Sequence, residues 1–169
     1  MSSKKDYFSK YPQQIRANMS PSAPLYVRKS DYYAVHNRSP ELPAPGAVLL
    51  LNDGEIAVFQ GEPDEARLTA ETGALSPVYA LQPSGLPAVP TGQIFVRFAE
   101  GVKAESRRQE INRAGYELVE SVPYAPHAAW LRARSGDIAA ALAGIPRLEQ
   151  LPDVENVEPQ MLLESVPRR

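Results

Sequence analysis

The chain contains no cysteine, which removes disulfides, thiolate nucleophiles and cysteine-ligated zinc together. Only two histidines are present, His36 and His127, too few for a histidine-rich metal site. No Asp/Glu spacing of the calcium-loop kind occurs either, so neither a metal nor a cofactor is expected. Charge of one sign is also lacking: 18 Lys and Arg stand against 20 Asp and Glu, for a net charge of −2. Nucleic acid and anionic membrane are therefore poor partners on electrostatic grounds. There is no apolar run of the roughly 18 residues that would cross a bilayer. The opening MSSKKDYFSKYPQQIRANM lacks the hydrophobic centre of a secretory signal, so a cytoplasmic protein is expected. Neither histidine accompanies a nucleophile-elbow pattern, and no enzyme is expected.

Proline, by contrast, is plentiful: 17 in 169 residues, about twice the usual share, mostly between Pro12 and Pro90. The first half is thus the irregular half. Residues 1–23 are polar with no sustained period and read as a flexible arm. Residues 24–90 read as a β-rich extension ending in a proline-rich linker. Within it, Ala47-Val48-Leu49-Leu50-Leu51, then Asn52-Asp53-Gly54, then Glu55-Ile56-Ala57-Val58-Phe59 is the strongest hairpin signal, because Asp-Gly readily takes positive φ. Pro77, Pro83, Pro87 and Pro90 then punctuate an extended segment that marks a domain boundary.

From residue 91 the patterns become regular. Ile94, Val96 and Phe98 fall on one face of a strand, Phe95 and Arg97 on the other. Residues 103–114 read as a helix that Gly115 ends, residues 116–122 and 128–134 as two strands, and residues 154–158 as the last strand. A second helix, capped by Ser135, has Ile138, Ala141, Leu142 and Ile145 on one face and is expected to break near Pro146. Strand, helix, strand, strand, helix, strand predicts an α+β, ferredoxin-like (βαββαβ) antiparallel sheet over residues 91–159, with two helices on one face and the small β-rich extension before it.

TGQIFVRFAEGV, Ala114-Gly115-Tyr116, Val122-Pro123-Tyr124 and LPDVENVEP follow one another in the order of a known family. Over residues 92–166 the chain resembles the propeptide of subtilisin-type serine proteases, a domain that folds its protease and then plugs the active site. The resemblance implies the same ferredoxin-like fold, a subtilisin-like serine protease as partner, and inhibition or folding assistance without catalysis. It also implies that the sheet lies against two helices of the protease. Glu158 would cap a helix N-terminus there, where a carboxylate gains roughly 0.3–1 kcal/mol. Gln160 stands where the family often has a second acid, and brings no charge. Gln160, Met161, Leu162, Leu163, Glu164, Ser165 and Val166 would then leave the sheet as an inhibitory tail, residues 160–169, running through the protease cleft by strand addition. In one register Val166 is next to the scissile position and Pro167 resists cleavage; in the other the chain ends there at Arg169.

The protease landmarks Asp-Thr-Gly, His-Gly-Thr and Gly-Thr-Ser are absent from the chain itself. The competing reading is a ferredoxin-like ligand-sensing or protein-interaction module without a protease partner. Only Gly136-Asp137 hints at a ligand pocket. An RNA-binding sheet would show paired aromatics on its central strands, and Phe95 and Phe98 fall on opposite faces. Trp130 reads as a sheet-face packing residue, His127 as an exposed turn residue, and Arg107, Arg108 and Arg113 as a solvated face balanced by Glu105 and Glu110.

Overall fold

The computed structural model describes residues 8–63 and 75–164. Nine strands form a single antiparallel sheet: β1 (Gln14–Arg16), β2 (Leu25–Val35), β3 (Ala47–Leu51), β4 (Ile56–Gln60), β5 (Leu75–Leu81), β6 (Leu86–Phe98), β7 (Tyr116–Val122), β8 (Ala125–Ala133) and β9 (Val154–Leu163). Their order is β3-β4-β2-β5-β6-β8-β7, with β1 added to β2 and β9 to β6. Among the described residues three short α-helices accompany the sheet: α1 (Arg108–Arg113), α2 (Ile138–Ala143) and α3 (Ile145–Glu149).

The expected hairpin is present as β3 and β4. Asn52, Asp53 and Gly54 all take positive φ (51°, 55° and 92°), which short polar side chains and glycine accept most readily. The apolar run of β4 is continuous because that strand is covered on both faces, whereas β3 turns Val48 and Leu50 to solvent. Tyr33, Val35, Ala57 and Phe59 form one cluster, with Tyr33 and Phe59 stacked at 5.4 Å, while Ala34, Ile56, Val58, Val78 and Val89 form another. The largest core lies between the helices and the sheet and holds Ile94, Val96, Phe98, Ile111, Leu131, Leu142, Leu148 and Val157.

The expected ferredoxin-like βαββαβ architecture with two helices on one face is corrected. Strand accounts for 48% and helix for only 16%, and the seven-strand path curls into a half-barrel. The strands after residue 91 are continuous with those before it, and the reason is β6. Along one edge its residues 86–88 pair with β5 and its residues 93–97 with β8, while β9 follows the other edge. The boundary expected at residues 90/91 therefore falls inside a strand. Pro90 fits there because it opens the irregular stretch where the register to β9 shifts, so a missing amide hydrogen costs little, while Pro87 lies opposite Ala80 of β5. Gly92 (φ 93°) lets α2 sit close, since a Cβ there would lie 3.2 Å from Ile138 Cγ1.

The helices are also shorter than expected. A 3-10 turn (Ala104–Arg107) precedes α1, and Gly115 (φ 97°) ends that segment as anticipated. Asp137 caps α2, accepting from the Ala139 amide at 3.3 Å, while Ser135 accepts from the Asp137 amide instead of capping. The break falls at Gly144, with Pro146 in the first turn of α3, where its missing N–H leaves no helical bond unmade. A Cβ at Gly144 would lie 2.5 Å from Tyr116 Oη, whose hydroxyl donates to Ala141 O and anchors α2 to β7.

Residues 8–23, part of the expected flexible arm, are tied to the body. β1 pairs with β2, Tyr79 Oη donates to Pro12 O at 2.7 Å, and the Met19 amide donates to Asn156 Oδ1 at 3.1 Å.

Candidate functional site

Cross-strand pairing decides which side chains share the sheet face turned away from the helices. Ile94, Val96 and Leu131 bury into the helix-side core, so their neighbours Phe95, Arg97, Trp130 and Arg132 project from the other side. Phe95 is opposite Trp130 on β8 and Glu158 on β9, and Trp130 is in turn opposite Glu120 on β7. One row, Glu120–Trp130–Phe95–Glu158, thus crosses four strands. It has two aromatic rings at its centre and a carboxylate at each end, about 14 Å apart by three strand spacings. The rings meet edge to face, 5.3 Å between centroids. Both are half-buried, so each keeps surface for a partner.

The neighbouring rows are polar. Arg132 pairs with Glu117 beside Trp130, and Arg97 lies exposed across from Asn156. Asn156 joins the arm to the face: its Oδ1 accepts from the Met19 amide and its Nδ2 donates to Glu158 Oε1 at 3.2 Å. Asn18, Ser20, Arg97, Glu155, Asn156 and Glu158 surround an open depression of about 410 Å³. Burial first, and the Glu158 carboxylate second, raise the Tyr26 hydroxyl above the ordinary phenol value, so Tyr26 stays neutral beside it.

The sequence-predicted residues divide along β9. Glu158 lies within β9, opposite Phe95 on the open face. Gln160, Met161, Leu162 and Leu163 do not leave the sheet: they are the last four residues of β9, with Met161 opposite Pro90, Leu162 opposite Val89 and Leu163 opposite Ala88. Their side chains have cores to join, Met161 and Leu163 on the helix side and Leu162 on the other. Gln160 Oε1 accepts from Thr91 Oγ1 at 2.7 Å. Glu164 follows the strand and is exposed, while Ser165 and Val166 lie outside the described residues. Sequence reasoning missed the Phe95–Trp130 pair by setting Phe95 against Phe98. The usable signal was the alternation of Trp130 with Ala128 and Arg132, which already placed that ring on a sheet face.

A second arrangement is chemically suggestive but closed. His36 Nε2 lies 2.8 Å from Ser76 Oγ, and Ser76 donates to Pro77 O at 3.0 Å. Both residues are buried, Ser76 completely, so no substrate reaches the hydroxyl. Burial lowers the His36 pKa to about 4 and keeps the ring neutral. Among the described residues no group of three or more His, Asp or Glu is placed to hold a metal ion. Likewise none of the described helices is long and apolar enough to cross a membrane. No family model, no curated protein and no solved structure matches the chain.

Proposed function

We propose that this chain is a non-catalytic, cytoplasmic inhibitor or folding chaperone of a subtilisin-like serine protease, and that it docks through the row Glu120–Trp130–Phe95–Glu158. The observation that carries the reading is the sharing of one open sheet face by Glu158 and an aromatic pair. Aromatic residues supply contact area at low entropic cost and dominate the centres of protein interfaces. The carboxylates at either end suit helix N-termini or basic side chains on the partner. Those same carboxylates argue against RNA, although paired central-strand aromatics are present, because they would face phosphates.

The tail takes a smaller part than the family resemblance implies. Occupation of the cleft by Gln160 to Val166 first requires the end of β9 to peel from β6, at the cost of the packing of Met161, Leu162 and Leu163. The sheet face therefore makes the primary contact, since β9 holds the chain as far as Leu163. The test is inhibition of a panel of subtilisin-like proteases by the full chain, by Trp130→Ala and by Glu158→Lys. The expected result is inhibition by the full chain, weakened at least about 30-fold by Trp130→Ala, the loss typical of a central aromatic, and weakened again by Glu158→Lys. Absence of binding to every protease of the class by the folded chain would overturn the reading.

A further inference from the structure

Among the described residues four strand edges lie open, and three of them are defended. β7 carries Glu117 and Glu120, β9 carries Glu155, Glu158 and Pro159, and β1 is three residues long and ends in Arg16. Charge, proline and shortness are the devices that keep sheet edges from pairing with other chains. β3 has neither charge nor proline: its sequence is Ala-Val-Leu-Leu-Leu, and it is hydrogen-bonded to β4 along one side, with one register irregularity between Ala47 and Leu49 and regular pairing from Leu49 to Leu51. Its side chains also reach solvent, Val48 at 55% and Leu50 at 53% exposure. Leu42, 61% exposed, lies in the loop that Arg38 ties to the β3–β4 turn through bonds to Leu42 O and Gly54 O.

We propose that β3 is a self-association edge, pairing antiparallel with β3 of a second copy about a two-fold axis and joining two half-barrels into one sheet. Composition selects this partner over the chain's other open edges. β3 laid on β7 or β9 of another copy would set Val48 and Leu50 against glutamates and would repeat head to tail into a filament. β3 on β3 meets its own uncharged sequence and closes at two copies. Five residues a side make a small interface, so the dimer is weak and forms with rising concentration. β3 lies at the opposite end of the strand path from β8 and Trp130, so pairing there leaves the proposed docking face open, and the two proposals fail independently.

The experiment is sedimentation equilibrium of the full chain from low micromolar to near-millimolar concentration, beside Val48→Lys and Leu50→Lys. Both substitutions fall at exposed positions and are expected to leave the circular dichroism spectrum and melting temperature of the monomer unchanged. The wild-type mass is expected to rise from monomer to dimer and stop there, and each lysine variant to weaken the dimer at least about tenfold by desolvating a charge at the edge. A wild type that is monomeric throughout overturns the proposal. So do a mass that climbs past the dimer, dimers indifferent to both lysines, or a monomer that instead takes another protein's strand on β3.

Discussion

His36 makes the stability of this protein depend on pH in a window where most histidines would not. The ring is buried against Ser76, and burial lowers its pKa from the ordinary 6.5 to about 4. Between those values the unfolded chain binds a proton that the folded chain refuses, so stability rises with pH across the interval. The contribution is fully present above pH 6.5 and is lost as pH falls toward 4. Carried from 6.5 to about 4 at 1.36 kcal/mol per pH unit, the whole loss is about 3 kcal/mol, of which about 2 kcal/mol is gone by pH 5. Urea denaturation at intervals from pH 7.5 to 4 measures it, with His36→Asn as the control that can still hydrogen-bond Ser76 but does not titrate. Subtracting one curve from the other cancels the carboxylates that both chains share. A difference that stays flat between pH 6.5 and 4 would refute the argument that the folded state holds His36 neutral.

Two further outcomes follow from the packing. Gly144→Ala puts a methyl against Tyr116 Oη and Arg147 Nη2 and is expected to cost about 1–3 kcal/mol by overpacking. Part of that loss should return in the Gly144→Ala, Tyr116→Phe double variant, which thermal melts of the four chains will show. A chain ending at Pro159 loses the pairing of Met161, Leu162 and Leu163 with β6 and is expected to be less stable by about 3 kcal/mol, near 1 kcal/mol for each half-buried side chain. A truncated chain as stable as the full one would show that the end of β9 contributes nothing to the fold.

The positions of most elements were legible because they depend on local chemistry. The period-2 alternation around Phe95, the positive-φ turn residues at Asp53 and Gly54, the stop at Gly115 and the break beside Pro146 each follow from a few neighbouring residues. Glu158 could be placed on a strand for the same reason. The docking row could not be read, because it depends on register: that Phe95 meets Trp130 and Glu158, and Trp130 meets Glu120, is set by pairings between residues 10 to 63 positions apart. Nor could the alternation show that the prolines at 87 and 90 belong to a strand, since a proline run reads as a linker until its neighbours supply the ladder around it.

Local propensity and hydrophobic period therefore determined which segments are extended, where they turn and which side of each strand is apolar. Which strands lie side by side was decided only in three dimensions. β6 is long enough to serve β5 with one half and β8 with the other, and β9 then gains more by continuing along it than by leaving as a tail. That gain is the burial of Met161, Leu162 and Leu163 against cores built by residues far away in the chain, a free energy that exists only once the sheet has formed.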